Sequence, residues 1–206
     1  MNWLAHLHLS EPTPEFRLGS ILPDFVSIRA LADLPLEYQR GIQRHRQIDA
    51  CTDAHPIFRR SVQRFEPPFR RFGGVLVDIF YDHFLARDWD TFSAWPLPVF
   101  AAEFYASFEA HWSDLPPEAR PRLQAMREAD LLCSYREISG IREVLERIGS
   151  RLRRPTDLAA SITILERDYD SFRGDFHEFF PQLVRQIDPF PAIDSGRHRP
   201  DRLTPS

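Results

Sequence analysis

Two aspartates and a histidine interrupt an otherwise apolar and aromatic stretch, GGVLVDIFYDHFL, which spans residues 73–85. An isolated ionised carboxylate in such a setting is strongly disfavoured unless it is paired or bound to a cation. Asp78 and Asp82 are four residues apart, so a helix places them on one face, one turn apart. Capping of a neighbouring helix or pairing with an arginine would explain one of them. Two carboxylates next to His83 instead favour a metal site.

Three more polar residues interrupt apolar segments nearer the N-terminus. Asp24 lies in GSILPDFV, residues 19–26. Its apolar neighbours predict a buried carboxylate, although an aspartate after proline is also typical of a turn or a helix start. His45 and Asp49 lie on the inward stripe of a helix predicted over residues 36–54, at positions where apolar side chains are expected.

These polar residues come from three separate helical elements, which is how metal sites are built inside helical bundles. Carboxylate and imidazole ligands without a thiolate suit Mg²⁺, Mn²⁺ or Fe²⁺ better than structural zinc. Such an ion could lower the pKa of bound water and neutralise charge that develops on a phosphoryl group. The predicted metal ligands are Asp24, His45, Asp49, Asp78 and Asp82. The predicted catalytic residues are Asp24, His45, Asp78, Asp82 and His83.

Arginines are concentrated close to this region in the sequence, and all 26 basic residues of the chain are arginine. A run of basic residues is most simply interpreted as a solvated face. Beside a metal ion, however, guanidinium groups could bind a phosphate or an acidic partner. The predicted substrate-binding or partner-binding residues are Arg59, Arg60, Arg70 and Arg71.

The 206 residues are enough for one well-buried core, and a single domain over residues 1–188 is predicted. A net charge of −4 gives no reason to expect nucleic acid. No apolar run reaches the roughly 18 residues that a membrane span needs, and the N-terminus lacks a signal-peptide pattern. The two cysteines have no metal-binding spacing and suit a reducing cytoplasm.

Helical periodicity dominates the rest of the chain and no convincing strand alternation is found, so the predicted fold is an all-α bundle of seven to nine helices. One long helix is predicted over residues 156–180, and its apolar stripe indicates core packing. The N-terminal segment NWLAHLHL holds His6 and His8, of which at most one is expected to face the core. Residues 189–206 are expected to form a disordered tail.

Five blocks of sequence closely resemble the acyl carrier protein phosphodiesterase family, in order and over nearly the whole chain. The blocks are NWLAHLHL, GSILPDFV, GIQRHRQIDACTDAHP, RRFGGVLVDIFYDHFLA and DFHEFFPQL. Membership would imply a hydrolase, dependent on manganese or magnesium, that removes 4′-phosphopantetheine from holo acyl carrier protein. It would also imply a role in fatty acid biosynthesis and a fold related to the HD-domain phosphohydrolases. The family blocks place Asp24, His45, Asp49, Asp78, Asp82 and His83 in the motifs.

On this hypothesis a divalent ion activates water for in-line attack on the phosphodiester, and His45 or His83 protonates the leaving serine oxygen if it is not itself a ligand. Two alternatives remain open, because related folds carry unrelated functions. One is a hydrolase of nucleotides or other small phosphate esters. The other is a helical protein that binds acyl carrier protein without cleaving it. The oligomeric state is not predicted.

Overall fold

The computed structural model describes residues 1–187, in which there are twelve α-helices and no strand. The helices are α1 (Trp3–His8), α2 (Pro14–Ile21), α3 (Ile28–Leu31), α4 (Leu36–Ala54), α5 (Pro56–Val62), α6 (Gly73–Arg87), α7 (Leu97–Ala110), α8 (Arg120–Glu128), α9 (Leu131–Ser134), α10 (Ile138–Arg151), α11 (Ile162–Arg167) and α12 (Tyr169–Ile187). The all-α prediction is confirmed. The predicted tail, 189–206, lies outside the described residues.

The prediction of seven to nine helices is too low, because local turns divide segments that look continuous in the sequence. The single helix predicted over 156–180 is a 3-10 turn followed by α11 and α12, with a break at Asp168. Likewise, α8 and α9 are separated at Asp130, whose φ of 41° lies in the left-handed region. A left-handed residue cannot continue a right-handed helix, so the chain turns there.

Helix α4 has the bounds that its periodicity predicts. On its inward stripe Tyr38, Ile42, His45 and Thr52 are buried, which confirms the predicted face. Asp49 lies on the same stripe but remains 41% exposed, at the edge of the packed interior. The helix therefore places His45 and Asp49 side by side at one edge of the core.

Two glycines allow α2 and α4 to cross with their backbones in contact. A Cβ atom on Gly41 would overlap the carbonyl oxygen of Phe16, and one on Gly19 would overlap that of Tyr38. Only glycine permits so close an approach of two helices. The crossing brings the end of α2, with Ser20, against the face of α4 that carries His45.

Helix α6 is buried between α1 on one side and α12 on the other. Its aromatic residues Phe80, Tyr81 and Phe84 pack against Phe172 and Phe176 of α12 with ring centroids 5.5–6.0 Å apart. The apolar stripe of α12 is thus core, as predicted. No helix within residues 1–187 is long and apolar enough to cross a membrane.

Candidate metal centre

Three side chains from two helices form a compact group of potential metal ligands. One nitrogen of His6, one of His45 and one carboxylate oxygen of Asp49 all lie within 4.8 Å of one another. The two imidazole rings stack with centroids 4.2 Å apart. His6 Nε2 lies 3.2 Å from Asp49 Oδ1, and His45 Nε2 lies 3.1 Å from Asp49 Oδ2. One carboxylate therefore bridges two imidazoles.

The main chain of α2 sets the orientation of the His45 ring. His45 Nδ1 donates a hydrogen bond to the carbonyl oxygen of Ser20, at 2.8 Å, so Nε2 is the nitrogen that faces the carboxylates. A backbone carbonyl that fixes the distant ring nitrogen is typical of histidines that ligate metals. Burial lowers the pKa of His45, but the carboxylates of Asp49 and Asp24 outweigh this effect and the net pKa is raised. Between Nε2 and Asp49 the structure thus favours a positive charge, either a proton or a cation.

His6 is completely buried, and burial lowers its pKa, which keeps the imidazole in the neutral form that binds metals. Its Nε2 also lies 3.0 Å from the carbonyl oxygen of Met1. Its Nδ1 has no hydrogen-bond partner among residues 1–187. An unsatisfied buried ring nitrogen is costly. Because both contacts of Nε2 are to acceptor oxygens, Nε2 carries the proton of the neutral ring, and Nδ1 is the His6 nitrogen whose lone pair is left for a cation.

Asp49 and Asp78 are the carboxyl groups on the inner side of the site, and their pKa values shift in opposite directions. Burial would raise the pKa of Asp49, but the hydrogen bonds from His45 and His6 hold it well below the usual range. The α-amino group of Met1 lies 2.9 Å from Asp78 Oδ1 and 3.6 Å from Asp49 Oδ1. For Asp78, burial of the carboxyl group outweighs this nearby ammonium and raises the pKa. The predicted proximity of Asp49 and Asp78 is thus present in the structure.

Asp24 borders the same group, but its predicted burial is wrong. Its side chain is 39% exposed, because the flanking apolar residues turn inward and leave the carboxylate at the surface. Oδ2 accepts a hydrogen bond of 2.9 Å from the indole of Trp3, and Oδ1 lies 3.8 Å from His45 Nε2. Asp24 therefore stands at the solvent side of the group, held in place by Trp3.

Asp82 lies one turn after Asp78 on α6, but its carboxylate has a different set of partners. Its two oxygens accept hydrogen bonds from the backbone amides of Leu4, at 2.8 Å, and Ala5, at 3.2 Å. These amides belong to the first turn of α1, which lacks partners within its own helix. Burial raises the pKa of Asp82 to about 7. The observed contacts are those of a helix cap that positions α1 and, with it, His6.

His83 lies among tyrosines and is not a member of the His6, His45 and Asp49 group. Its Nδ1 donates to the carbonyl oxygen of Tyr135, and its Nε2 lies 2.8 Å from the hydroxyl of Tyr169. Burial lowers its pKa, so the ring is neutral in a hydrogen-bonded core position. Both ring nitrogens are occupied by these contacts.

The four predicted binding arginines do not share one environment. Arg60 forms ion pairs with Asp175 and Glu178 of α12, at 2.6 and 2.9 Å. Arg59 donates to the carbonyl oxygen of Asp53. Arg70 and Arg71 are exposed, and Arg71 lies over the ring of Phe72. The contacts of Arg60 are intramolecular, whereas Arg70 and Arg71 are accessible to a partner.

His6 is the residue that the sequence-based metal set lacks. The signal in the sequence is weak: the segment NWLAHLHL contains two histidines, of which at most one is expected to face the core. Its membership depends on how α1 docks in the fold, and Asp82 of α6, more than 75 positions away, holds the first turn of α1 in place. No spacing within the N-terminal segment indicates it.

Comparison with known proteins supports the family resemblance. The profile described as "Acyl carrier protein phosphodiesterase" matches residues 1–183. A protein of that name from Enterobacter sp. (strain 638) is 33% identical over 187 residues, covering 90% of this chain and 97% of the relative. One from Yersinia pestis is 31% identical over 187 residues, covering 90% and 97%. No solved structure matches, so the likeness to HD-domain phosphohydrolases stays a prediction. The chain belongs to the acyl carrier protein phosphodiesterase family.

Proposed function

We propose that this protein is a metal-dependent phosphodiesterase that cleaves 4′-phosphopantetheine from holo acyl carrier protein and leaves the apo protein with a free serine hydroxyl. Family membership and the names of the relatives support the substrate. The observation that carries the metal dependence is the Asp49 carboxylate between His6 and His45. The proposal includes a cytoplasmic protein of fatty acid biosynthesis, with which the two unpaired cysteines agree.

The donor set fits a divalent cation. Two imidazoles, the Asp49 carboxylate and the nearby Asp24 and Asp78 offer nitrogen and oxygen ligands and no thiolate. Imidazole ligands suit transition ions, while carboxylates also suit Mg²⁺, so we propose Mn²⁺ or Fe²⁺ ahead of Mg²⁺. When bound, such an ion would lower the pKa of water and neutralise charge on the phosphoryl oxygens.

Residues of the chain supply the metal ligands and the proton transfer. His6, His45 and Asp49 would hold the cation, and the carbonyl of Ser20 keeps the His45 ring in its orientation. Asp24, which is exposed and only 3.8 Å from His45 through Oδ1, can accept the proton of an attacking water. Attack at phosphorus forms the bond to the water oxygen and breaks the bond to the carrier serine oxygen. The serine oxygen takes up a proton from solvent, and the exposed Asp24 returns the proton of the water to solvent. His83 is not assigned this proton transfer, because both of its ring nitrogens already have partners.

The test compares two aspartates of α4. Asp49→Asn removes the bridging charge, and Asp53→Asn changes an exposed aspartate one turn further along. Both proteins are loaded with Mn²⁺, and bound metal and 4′-phosphopantetheine release from holo acyl carrier protein are measured. We expect Asp49→Asn to lose most of its Mn²⁺ and at least a hundredfold of its activity, and Asp53→Asn to keep both. Equal metal content and activity in the two variants would contradict the proposal.

The same Mn²⁺-loaded wild-type protein distinguishes the two alternative functions, a hydrolase of small phosphate esters and a protein that only binds the carrier. A panel of nucleotides and small phosphodiesters is incubated with the wild-type protein and Mn²⁺, and phosphate ester cleavage is measured beside carrier-protein cleavage. A nucleotide hydrolase would cleave the panel and leave the carrier intact. A protein that only binds the carrier would form a complex and cleave neither.

A further inference from the structure

A cavity of about 230 Å³ opens beside the candidate metal centre. Asp24 connects the cavity to the candidate metal centre, because it forms part of the cavity wall and its Oδ1 lies 3.8 Å from His45 Nε2. Trp3 and Phe25, whose rings are 5.1 Å apart, form the adjoining wall. Any group that fills this cavity therefore has one end next to the metal ligands.

The far wall is built by α8, α9 and α10 and is mainly apolar. Met126, Leu131, Val144 and Ile148 contribute aliphatic surface to it. Apolar walls with a few placed polar groups are typical of small-molecule sites, which usually measure about 300–1,000 Å³. At about 230 Å³ this cavity lies below that range and suits a narrow chain better than a bulky ring system.

Three arginines supply the positive charge of the cavity: Arg122, Arg147 and Arg151. Arg122 is held by the carbonyl oxygens of Asp24, at 3.3 Å, and Phe25, at 3.0 Å. Arg147 and Arg151 are four residues apart on α10, so they lie on the same face of that helix. Guanidinium groups suit both phosphate oxygens and amide carbonyl oxygens as acceptors.

We propose that this cavity binds the pantetheine arm of the substrate, with the phosphate at the Asp24 end. This inference rests on the proposed function. The anionic phosphate lies between the metal ligands and the arginines, and the neutral arm, a linear chain with two amides, extends along the apolar wall. Arg147 and Arg151 donate hydrogen bonds to the arm or its phosphate. The cavity thereby makes recognition depend on the prosthetic group as well as on the carrier polypeptide.

The first test fills the cavity from an exposed position. Ala125 lines the cavity but is exposed on α8, so Ala125→Trp places a bulky ring there without disturbing the core. The control is Ala102→Trp, at an exposed position of α7 away from the cavity. Binding of free 4′-phosphopantetheine to the Mn²⁺-loaded proteins is measured by calorimetry, together with inhibition by apo carrier protein. We expect Ala125→Trp to weaken 4′-phosphopantetheine binding at least tenfold and to leave inhibition by apo carrier unchanged.

The second test concerns the arginines. Arg147→Gln and Arg151→Gln are compared with Arg142→Gln, an exposed arginine of the same helix that does not line the cavity. We expect a roughly tenfold loss of 4′-phosphopantetheine affinity in the first two, as for removal of a charge-assisted hydrogen bond, and no change in the third.

The inference is overturned if Ala125→Trp binds 4′-phosphopantetheine as tightly as the wild type, or if it weakens only the inhibition by apo carrier. The second result would assign the cavity to the carrier polypeptide. The binding measurement does not require turnover, so it is separable from the proposed function. If the wild-type protein binds 4′-phosphopantetheine in the cavity but does not cleave holo carrier, the cavity assignment is supported and the proposed reaction is wrong.

Discussion

His45 Nε2 and Asp49 Oδ2 lie 3.1 Å apart, one turn from each other on α4, and Asp49 reaches His6 with its other oxygen. A neutral imidazole nitrogen without a proton would repel a carboxylate at this distance. The pair therefore needs a positive charge, which a proton supplies in the ion-free protein and which, under the proposed function, a divalent ion would supply in the active one.

The first prediction concerns His6, the proposed metal ligand on α1. His6→Gln removes one imidazole, so we expect bound Mn²⁺ to fall severalfold and activity to fall at least a hundredfold. His8→Gln is the control, because His8 packs against Trp89 and Phe180 and is not a member of the ligand group. Metal content is measured by elemental analysis of the purified proteins. Equal losses in the two variants would show that α1 contributes only packing.

The second prediction concerns Asp82, which caps α1. Asp82→Ala leaves the buried amides of Leu4 and Ala5 without acceptors, so we expect a loss of about 3 kcal/mol in the free energy of unfolding. Asp82→Asn keeps one acceptor oxygen and should lose about 1 kcal/mol. Urea unfolding measures both. If Asp82→Asn instead loses its Mn²⁺ at unchanged stability, Asp82 is a ligand, as the sequence suggests, and its role as a cap is secondary.

The third prediction concerns the crossing of α2 and α4. Gly41→Ala places a methyl group against the carbonyl oxygen of Phe16 and must push the helices apart. We expect it to cost about 2 kcal/mol and to weaken Mn²⁺ binding, because Ser20 moves away from His45. Gly174→Ala is the matched control. Nothing lies within 4 Å of its added Cβ, so it should stabilise α12 by up to about 1 kcal/mol.

The outcome that contradicts this account is a Gly41→Ala protein with normal stability and normal metal content. Loss of stability alone, with Mn²⁺ affinity unchanged, would separate the packing of α2 from the orientation of His45.

The fourth prediction concerns pH and the buried Asp175. Burial would raise its pKa, but Ser61, Arg64 and Arg60 donate hydrogen bonds to it and lower the net pKa. A carboxyl group with a lowered folded-state pKa stabilises the protein fully above its unfolded pKa, near 4, and loses this contribution as the pH falls further.

Asp175→Asn should therefore cost about 2 kcal/mol at pH 7, and the difference from the wild type should narrow as the pH falls below about 4. Urea unfolding at a series of pH values measures this difference. If the difference in unfolding free energy stays constant down to pH 3, the pKa of Asp175 is not lowered in the folded protein.

The sequence predicts much of this architecture because periodicity is a local property. The bounds of α4 and its buried stripe follow from apolar spacing alone, and the same stripe marks His45 and Asp49 as unusual. The breaks at Asp130 and Asp168 are not predicted, since the apolar pattern does not show where one helix ends and the next begins.

The sequence predicts the site less completely, because two features of the site depend on tertiary contacts. Asp78 and Asp82 look equivalent in the sequence, yet one faces Asp49 and the other caps α1. The difference arises because a one-turn displacement along α6 places Asp78 at the α-amino group of Met1 and Asp82 at the first turn of α1. His6 enters the site through that same docking. Asp24 is exposed for a related reason, since Trp3 of α1 holds its carboxylate at the surface.

The most direct test of the central claim is the intact mass of holo acyl carrier protein after incubation with this protein and Mn²⁺, with an EDTA-treated sample beside it. The account predicts that the carrier loses the mass of one 4′-phosphopantetheine with Mn²⁺ and that EDTA abolishes the loss. An unchanged carrier mass, with protein shown to be folded and loaded with Mn²⁺, would contradict it.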